Sequence, residues 1–246
     1  MRKIYSLLFF LVFYSHSSLS SYPWLDSMDP ENDYIKSGQR LMSLEYGLSP
    51  LEVKNKREKI AVIGVHGGRS EGYEWVYPLT KLDRNDRLTL FYRWDDGSCF
   101  LSSALKLNQE ISFLIEENSA IEKIVLLGHS YGGILLTWFI ENWSGNIPIE
   151  IHTIASPLGG IKTISKICDY SPPERIKKNV RSIQWKTIKS LDNVFKNLNI
   201  DPQLINLKGH EVHNLPNEYN GKRLGHNWSL SYVADEIYSS YMFITN

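Results

Sequence analysis

A serine stands among glycines in the segment 128–133 (GHSYGG), which directly follows an apolar run at 123–127. The apolar run predicts a strand, and the apolar residues after the segment predict a helix. A strand that enters a helix through the G-x-S-x-G pattern holds the serine hydroxyl on a sharp, exposed turn, where it can attack a carbonyl carbon. Gly128 and Gly132 lack a Cβ, so the turn can lie close to the neighbouring strand and helix. We therefore predict that Ser130 is a nucleophile.

A second glycine motif follows another apolar run, at 59–65, and consists of His66, Gly67 and Gly68. Glycines at the end of a strand let backbone N–H groups turn toward a substrate carbonyl. The N–H groups of Gly68 and of Tyr131, the residue after the nucleophile, are expected to bind the oxyanion of a tetrahedral intermediate. His66 precedes the serine in the chain, so we expect it to hold the loop and not to act as the base.

Four histidines follow the serine and are candidates for the general base: His152, His210, His213 and His226. In hydrolases whose serine lies on such a turn, the acid and then the base follow the nucleophile in sequence. His152 falls within a predicted strand at 149–154, which favours a place in the core. His226 is the preferred base, because it follows the last predicted strand (204–207) and precedes an amphipathic helix that begins near Ser229. His210 and His213 lie nearer to that strand and remain alternatives.

The acid is sought at the end of the strand that is predicted at 183–188. Asp192 lies just beyond it and can reach the loop of His226, where a carboxylate holds the imidazole in the tautomer that accepts the serine proton. Asp201, which lies at another turn, is the alternative acid. A purely structural role for Asp192, as the N-cap of a short helix, requires a helix that starts at Asn193.

Together these motifs resemble a compact bacterial lipase or esterase of the α/β-hydrolase superfamily, from about residue 59 to the C-terminus. The resemblance rests on the GHSYGG turn, the HGG loop, the run ASPLGG at 155–160, the Ser190-x-Asp192 turn and the pair Gly225-His226. It implies a Ser-His-Asp triad, an acyl-enzyme, and a cap over the site after the sixth core strand, here at about 161–180. The cap is short and the chain has no long amphipathic lid, which argues against triglycerides as substrates.

Length and composition fit one domain with a sizeable core, since the chain has 246 residues that are 42% hydrophobic and 22% charged. Strand and helix patterns alternate between residues 60 and 154, which predicts an α/β fold with a mainly parallel sheet and helices on both faces. We place the hydrolase domain at 58–246, and 21–57 as an N-terminal extension that packs on the sheet edge. The 27 basic and 27 acidic residues balance, which argues against a nucleic-acid partner.

Residues 1–20 have the layout of a secretory signal peptide. A basic start precedes an apolar stretch at 4–14 and a run of small polar residues, and cleavage is expected after Ser20. The apolar stretch is too short to span a bilayer, so no stable membrane span is expected in the mature chain. We therefore expect a secreted or periplasmic protein.

The expected function is hydrolysis of a carboxylic ester or thioester, with a small-molecule or lipid-like substrate. Acyl transfer to an alcohol is an alternative, because the acyl-enzyme is common to both reactions. A hydrolase-fold binding protein without activity is a second alternative. The segment 210–213 lacks the HExxH spacing that binds zinc. The sequence also has no phosphate loop or dinucleotide fingerprint, so neither a metal nor a cofactor is expected.

The two cysteines, Cys99 and Cys168, are both placed near the carboxyl edge of the sheet. In an exported protein an even number of cysteines tends to be paired, so we predict a disulfide that fastens the cap beside the site. The alternative is two buried thiols. Four aromatic residues are candidates either for an acyl pocket or for the core: Trp75, Trp94, Tyr131 and Trp228.

Overall fold

The structure is a computed structural model that describes residues 22–55 and 57–242. The signal peptide predicted at 1–20 lies outside these residues. No helix in the described part of the chain is long and apolar enough to cross a membrane.

Among the described residues, seven strands form one sheet: β1 (Gly47–Pro50), β2 (Ile60–Val65), β3 (Arg87–Arg93), β4 (Lys123–His129), β5 (Ile149–Ile154), β6 (Val180–Lys186) and β7 (Glu211–Asn214). Their order across the sheet is β1-β3-β2-β4-β5-β6-β7. All neighbours from β3 to β7 are parallel, and β1 pairs antiparallel with β3 at one edge. A separate hairpin joins β8 (Glu218–Tyr219) to β9 (Lys222–Arg223). The prediction of a mainly parallel sheet is confirmed.

In the described part of the chain, six α-helices accompany the sheet: α1 (Tyr34–Met42), α2 (Tyr73–Leu82), α3 (Phe100–Glu117), α4 (Tyr131–Asn142), α5 (Lys162–Ile167) and α6 (Ser229–Met242). α3 and α4 pack together on one face of the sheet, and α1, α2 and α6 pack on the other. The segment 161–180, which was predicted to be a cap, contains α5 and an extended stretch that leads into β6.

Successive residues of the central strands point into two different cores. In β4, Ile124 and Leu126 pack with α3 and α4, whereas Val125 and Leu127 pack with α2 and α6. Helices cover both faces, so the four residues 124–127 form a continuous apolar run, as is usual in parallel sheets. The carboxyl ends of the parallel strands share one edge of the sheet, where open α/β sheets bind their ligands.

The prediction of a strand at 204–207 is wrong. The chain before it is fixed beside β6 by Gln203, whose side-chain amide donates to the carbonyl of Thr187 over 3.0 Å. The backbone carbonyl of Gln203 in turn accepts from the side chain of Gln184 over 2.7 Å. The last strand of the sheet is β7, which is exposed along its whole length. It therefore lacks the apolar pattern from which strands are predicted.

Candidate active site

Ser130 lies on the turn between β4 and α4 and has a positive φ of 53°. This is a strained conformation for a residue with a side chain. The glycines around it make the turn possible, since a Cβ on Gly128 would lie 2.7 Å from the carbonyl oxygen of Gly132, and one on Gly132 would lie 2.3 Å from that of Val65. The N–H of Ser130 donates to the carbonyl of Ile154 over 2.9 Å, which ties the turn to β5.

His226 and Asp192 form a hydrogen-bonded pair, with 2.9 Å between His226 Nδ1 and Asp192 Oδ2. Asp192 is fully buried, and its carboxylate also accepts from Thr187 Oγ1 over 2.6 Å and from the N–H of Val194 over 2.8 Å. Burial raises the pKa of Asp192, but the hydrogen bonds from His226 and Thr187 lower it by more. A carboxylate held in this way keeps the proton of the imidazole on Nδ1 and leaves Nε2 free to accept one.

The backbone carbonyl of His226 anchors the loop on which this residue lies. This oxygen accepts from His129 Nε2 over 3.1 Å and from Ser229 Oγ over 2.5 Å. The His226 ring lies between the rings of His129, at 4.7 Å, and Phe195, at 5.2 Å. Sequence reasoning assigned no role to His129, because the contact joins positions that lie 97 residues apart.

Ser130 and His226 line the same cavity, which has a volume of about 430 Å³ and also includes Gly67, Gly68 and His129 in its wall. The backbone N–H groups of Gly68 and Tyr131 donate no hydrogen bond to any described residue. The structure therefore brings the predicted nucleophile, base and one of the two oxyanion donors to one cavity, with the predicted acid directly behind the base.

The loop that contains Gly67 and Gly68, called the glycine loop below, is held in place by His66 and by the chain segment that follows β3. His66 is buried, and its Nδ1 lies 2.8 Å from the carbonyl of Gly67, while its Nε2 accepts from the N–H of Trp94 over 3.1 Å. Burial lowers the pKa of His66 to about 4, so the ring is neutral and donates from Nδ1. Next to Gly68, the N–H of Arg69 donates to the carboxylate of Asp96.

The same segment after β3 also contacts Tyr131. The Tyr131 hydroxyl donates to the carbonyl of Ser98 over 3.2 Å, and the rings of Tyr131 and Trp94 lie 5.0 Å apart. The predicted disulfide is confirmed: it joins Cys99, at the start of α3, to Cys168, at the end of α5, with 5.3 Å between the Cα atoms. The segment 94–99 is thus anchored at both ends, by Trp94 in the core and by the disulfide.

The alternative bases and the alternative acid have other partners. His152 is buried in β5, as predicted, and contacts Glu150 and the indole N–H of Trp185. His210 is bonded to Ser182, and His213 stacks on the ring of Trp185. Asp201 accepts from the N–H of Gln203 over 3.0 Å and so holds a turn. None of His152, His210, His213 and Asp201 lines the cavity of Ser130.

The four aromatic residues fall into different places. Trp75 and Trp94 are almost completely buried in the core. Tyr131 lies beside the glycine loop, with its ring partly buried against the core that α3 and α4 form with the sheet. Trp228 is 38% exposed and lines a second cavity.

Comparison with solved structures identifies the fold to which this architecture belongs. Est1E from Butyrivibrio proteoclasticus superposes with a TM-score of 0.53 and 12% identity, over 81% of this chain and 93% of that one. The Pyrococcus furiosus esterase Pf2001 superposes with a TM-score of 0.50 and 12% identity, over 81% of this chain and 91% of that one. The chain has an α/β-hydrolase fold. At these identities the likeness concerns the fold alone; no protein-family model matches the chain, and no curated protein matches it.

Ser130, Asp192 and His226 lie at positions in the sheet and its loops that agree with those of the serine, acid and base in the α/β-hydrolase fold. Ser130 follows the central strand β4 and begins a helix, as the nucleophile turn of this fold requires. Asp192 follows β6, and His226 lies on the loop that precedes α6. The order along the chain is therefore Ser130, Asp192, His226, which matches the order of serine, acid and base in hydrolases of this fold.

Proposed function

We propose that the protein is a serine hydrolase that cleaves carboxylic esters through Ser130, His226 and Asp192. The observation that carries the proposal is the pairing of His226 with a buried, charged Asp192, at the wall of the cavity that also contains Ser130. A buried carboxylate is costly unless it is paired. An imidazole held against such a carboxylate, in the wall of the same cavity as a serine on a strained turn, supports the assignment of a nucleophile and its general base.

The reaction proceeds in two halves. Ser130 Oγ attacks the ester carbonyl and gives its proton to Nε2 of His226, while the N–H groups of Gly68 and Tyr131 bind the oxyanion. When the tetrahedral intermediate collapses, His226 returns the proton to the leaving alcohol and an acyl-serine remains. Water then attacks the acyl group, with His226 again as base, and the acid is released.

We further propose that the protein acts outside the cytoplasm. The layout of residues 1–20 is that of a signal peptide, and the disulfide between Cys99 and Cys168 is a bond that persists in oxidising compartments. The expected form is the mature chain after cleavage at Ser20, recovered from the periplasm or the medium.

The test is a comparison of Ser130→Ala with the unmodified protein. We expect the variant to lose hydrolysis of short acyl esters and labelling by a fluorophosphonate, without a change in melting temperature, because the hydroxyl is small and lies on a turn. Ser112→Ala is the matched control, since Ser112 is exposed on α3. Turnover or labelling that persists in Ser130→Ala would show that another residue is the nucleophile.

A further inference from the structure

A second cavity, of about 350 Å³, lies beside the cavity of Ser130. Its wall is formed by the N-terminal segment, α2, the β8–β9 hairpin and the start of α6. The two cavities share Tyr73, Glu74 and Asn227 in their walls. At this boundary Asn227 Nδ2 donates to the Tyr73 hydroxyl over 2.8 Å. The two cavities are therefore adjacent, with this hydrogen-bonded pair at their boundary.

Four of the nine residues in the wall of the second cavity are aromatic: Tyr34, Tyr73, Tyr77 and Trp228. Tyr34 and Trp228 expose 43% and 38% of their surface, and the rings of Tyr34 and Tyr73 meet edge to face with centroids 6.4 Å apart. Large aromatic side chains that stay exposed in a concave surface are typical of ligand sites, where they provide flat apolar area at a small entropic cost.

The shared wall also contains a carboxyl group with an unused oxygen. Glu74 is 7% exposed, and one of its oxygens accepts from Ser70 Oγ. The other, Oε2, is buried and has no hydrogen-bond partner among the described residues. Burial raises the pKa of Glu74, although the bond from Ser70 acts in the opposite sense. A buried carboxyl oxygen without a partner is unfavourable, so a group from outside the chain is expected to supply one.

The position of the second cavity also indicates which part of an ester enters it. In the proposed reaction His226 gives its proton to the leaving alcohol, so the alcohol part of the ester lies on the side of His226. Asn227 follows His226 directly and belongs to the boundary between the two cavities. The oxyanion donors Gly68 and Tyr131 are not part of the wall of the second cavity.

We propose that the second cavity binds the alcohol part of the ester and selects a ring that carries a free hydroxyl group, which donates a hydrogen bond to Glu74. This proposal rests on the proposed esterase function. The aromatic walls contact the faces of the ring, and the hydroxyl gives Glu74 Oε2 its missing partner. Because Oε2 is closed to solvent in the empty cavity, the carboxyl group has to rotate, which the broad terminal torsion of a glutamate allows.

A phenol and a sugar both present such a ring, and acetate esters distinguish them. The phenol pair is phenyl acetate and resorcinol monoacetate, and the sugar pair is cyclohexyl acetate and an acetylated methyl glucoside. We expect kcat/KM of the hydroxylated ester to exceed that of its parent by roughly tenfold in one pair, which is the effect of one hydrogen bond to a carboxyl group. The pair with the larger ratio shows whether the cavity prefers a phenol or a sugar. Equal values within both pairs would overturn the proposal.

Variants test whether the preference for the hydroxylated ester arises in the second cavity. In Glu74→Leu the ratio within the preferred pair is expected to fall to about one, since the acceptor is gone. In Trp228→Ala the ring esters are expected to lose kcat/KM relative to ethyl acetate, which has no ring. Trp228 is partly exposed, so its truncation keeps the test available if Glu74→Leu does not fold. Phe113→Ala is the matched control, because Phe113 is an exposed ring on α3. Unchanged ratios in both cavity variants would contradict the assignment.

Binding provides a measurement that does not depend on catalysis. Resorcinol and methyl glucoside are titrated into Ser130→Ala by calorimetry, and into the double variant Ser130→Ala/Trp228→Ala. We expect one of the two compounds to bind the first protein and not the second. If esters are hydrolysed without preference and neither compound binds, the second cavity is not a subsite although the esterase function stands. If a compound binds but no ester is cleaved, the esterase function fails and the cavity remains a ring-binding site.

Discussion

The imidazole of His129 donates a hydrogen bond from Nε2 to the backbone carbonyl of His226. A carbonyl oxygen only accepts, so Nε2 of His129 carries the proton. Burial, together with the neighbouring His226, lowers the pKa of His129 to about 3, and the ring is neutral. The residue that precedes Ser130 in the chain therefore also anchors the loop that carries His226.

We expect His129→Leu to lower kcat by roughly tenfold or more with little change in KM. Without the hydrogen bond from His129 the His226 loop becomes more mobile, so His226 and Ser130 are aligned for reaction in a smaller fraction of the enzyme–substrate complexes. Leucine fills the buried volume but cannot donate. Steady-state kinetics and the rate of fluorophosphonate labelling are measured together with the melting temperature. His213→Leu, on the exposed edge strand β7, is the matched control. A loss of activity that merely follows a lower melting temperature, or a loss confined to KM, would contradict a positioning role.

Asp192→Asn is expected to lower kcat roughly 10³- to 10⁴-fold, because an amide at this place favours the wrong tautomer of His226. The asparagine has nearly the same shape, so KM and the fold are expected to change little. Asp201→Asn is the comparison, since Asp201 holds a turn away from the cavity. If Asp201→Asn is the inactive variant and Asp192→Asn retains activity, the acid is assigned wrongly.

The triad candidates could be predicted from the sequence because each of them follows a local signal. Ser130 stands in a glycine turn after an apolar strand, and Asp192 and His226 follow it in the order that the fold uses. Sequence spacing does not show which side chains of distant segments meet. The contact of His129 with the His226 carbonyl, and that of Asp96 with Arg69, depend on the packing of loops that lie far apart in the chain.

The edge of the sheet was predicted less well than its centre. β4 lies between two helical layers, so burial on both faces makes its residues 124–127 a continuous apolar run and the strand easy to recognise. β7 is exposed at each of its four positions and leaves no such pattern. The apolar residues at 204–207 belong instead to a loop beside β6. Trp228 was named as a candidate for a pocket, but Tyr34, Tyr73 and Tyr77, which line the same cavity, were not, because an aromatic side chain in the sequence looks the same in a core and in a cavity.

The neutral state of His129 predicts an effect of pH on stability. The unfolded histidine has a pKa of about 6.5, whereas the folded one has a pKa of about 3. As the pH falls below the unfolded value, only the unfolded chain takes up this proton, so the contribution of His129 to the free energy of unfolding decreases by roughly 1.4 kcal/mol per pH unit. Glu52, whose pKa is raised to about 7 by burial, acts in the opposite sense.

The comparison of His129→Leu with the unmodified protein isolates this contribution, because Glu52 is present in both. We expect the melting temperature of the variant, relative to the unmodified protein, to rise as the pH is lowered from neutral to about 5, where only the unmodified chain pays the protonation penalty. Calorimetry at several pH values measures the difference. A difference that does not change with pH would show that folding does not lower the pKa of His129.

The disulfide supports the chain segment that contacts the proposed oxyanion site. Residues 94–99 contact the glycine loop through Asp96 and Arg69, and they contact Tyr131 through the carbonyl of Ser98. The bond between Cys99 and Cys168 closes a loop across a separation of 69 residues. In the chain-entropy description, closure of a loop of this length stabilises a folded protein by about 4 kcal/mol.

Reduction of the disulfide is therefore expected to lower kcat several-fold, with a smaller change in KM, because the N–H groups of Gly68 and Tyr131 lose part of their fixed orientation toward the oxyanion. Activity is measured with and without dithiothreitol, at a temperature where the reduced protein remains folded. The double variant Cys99→Ser/Cys168→Ser is expected to have the reduced protein's kcat and to be insensitive to the reductant, which separates the effect of the bond from other effects of the thiol. If the reduced protein and the double variant keep the full kcat and lose only melting temperature, the disulfide stabilises the fold without shaping the oxyanion site.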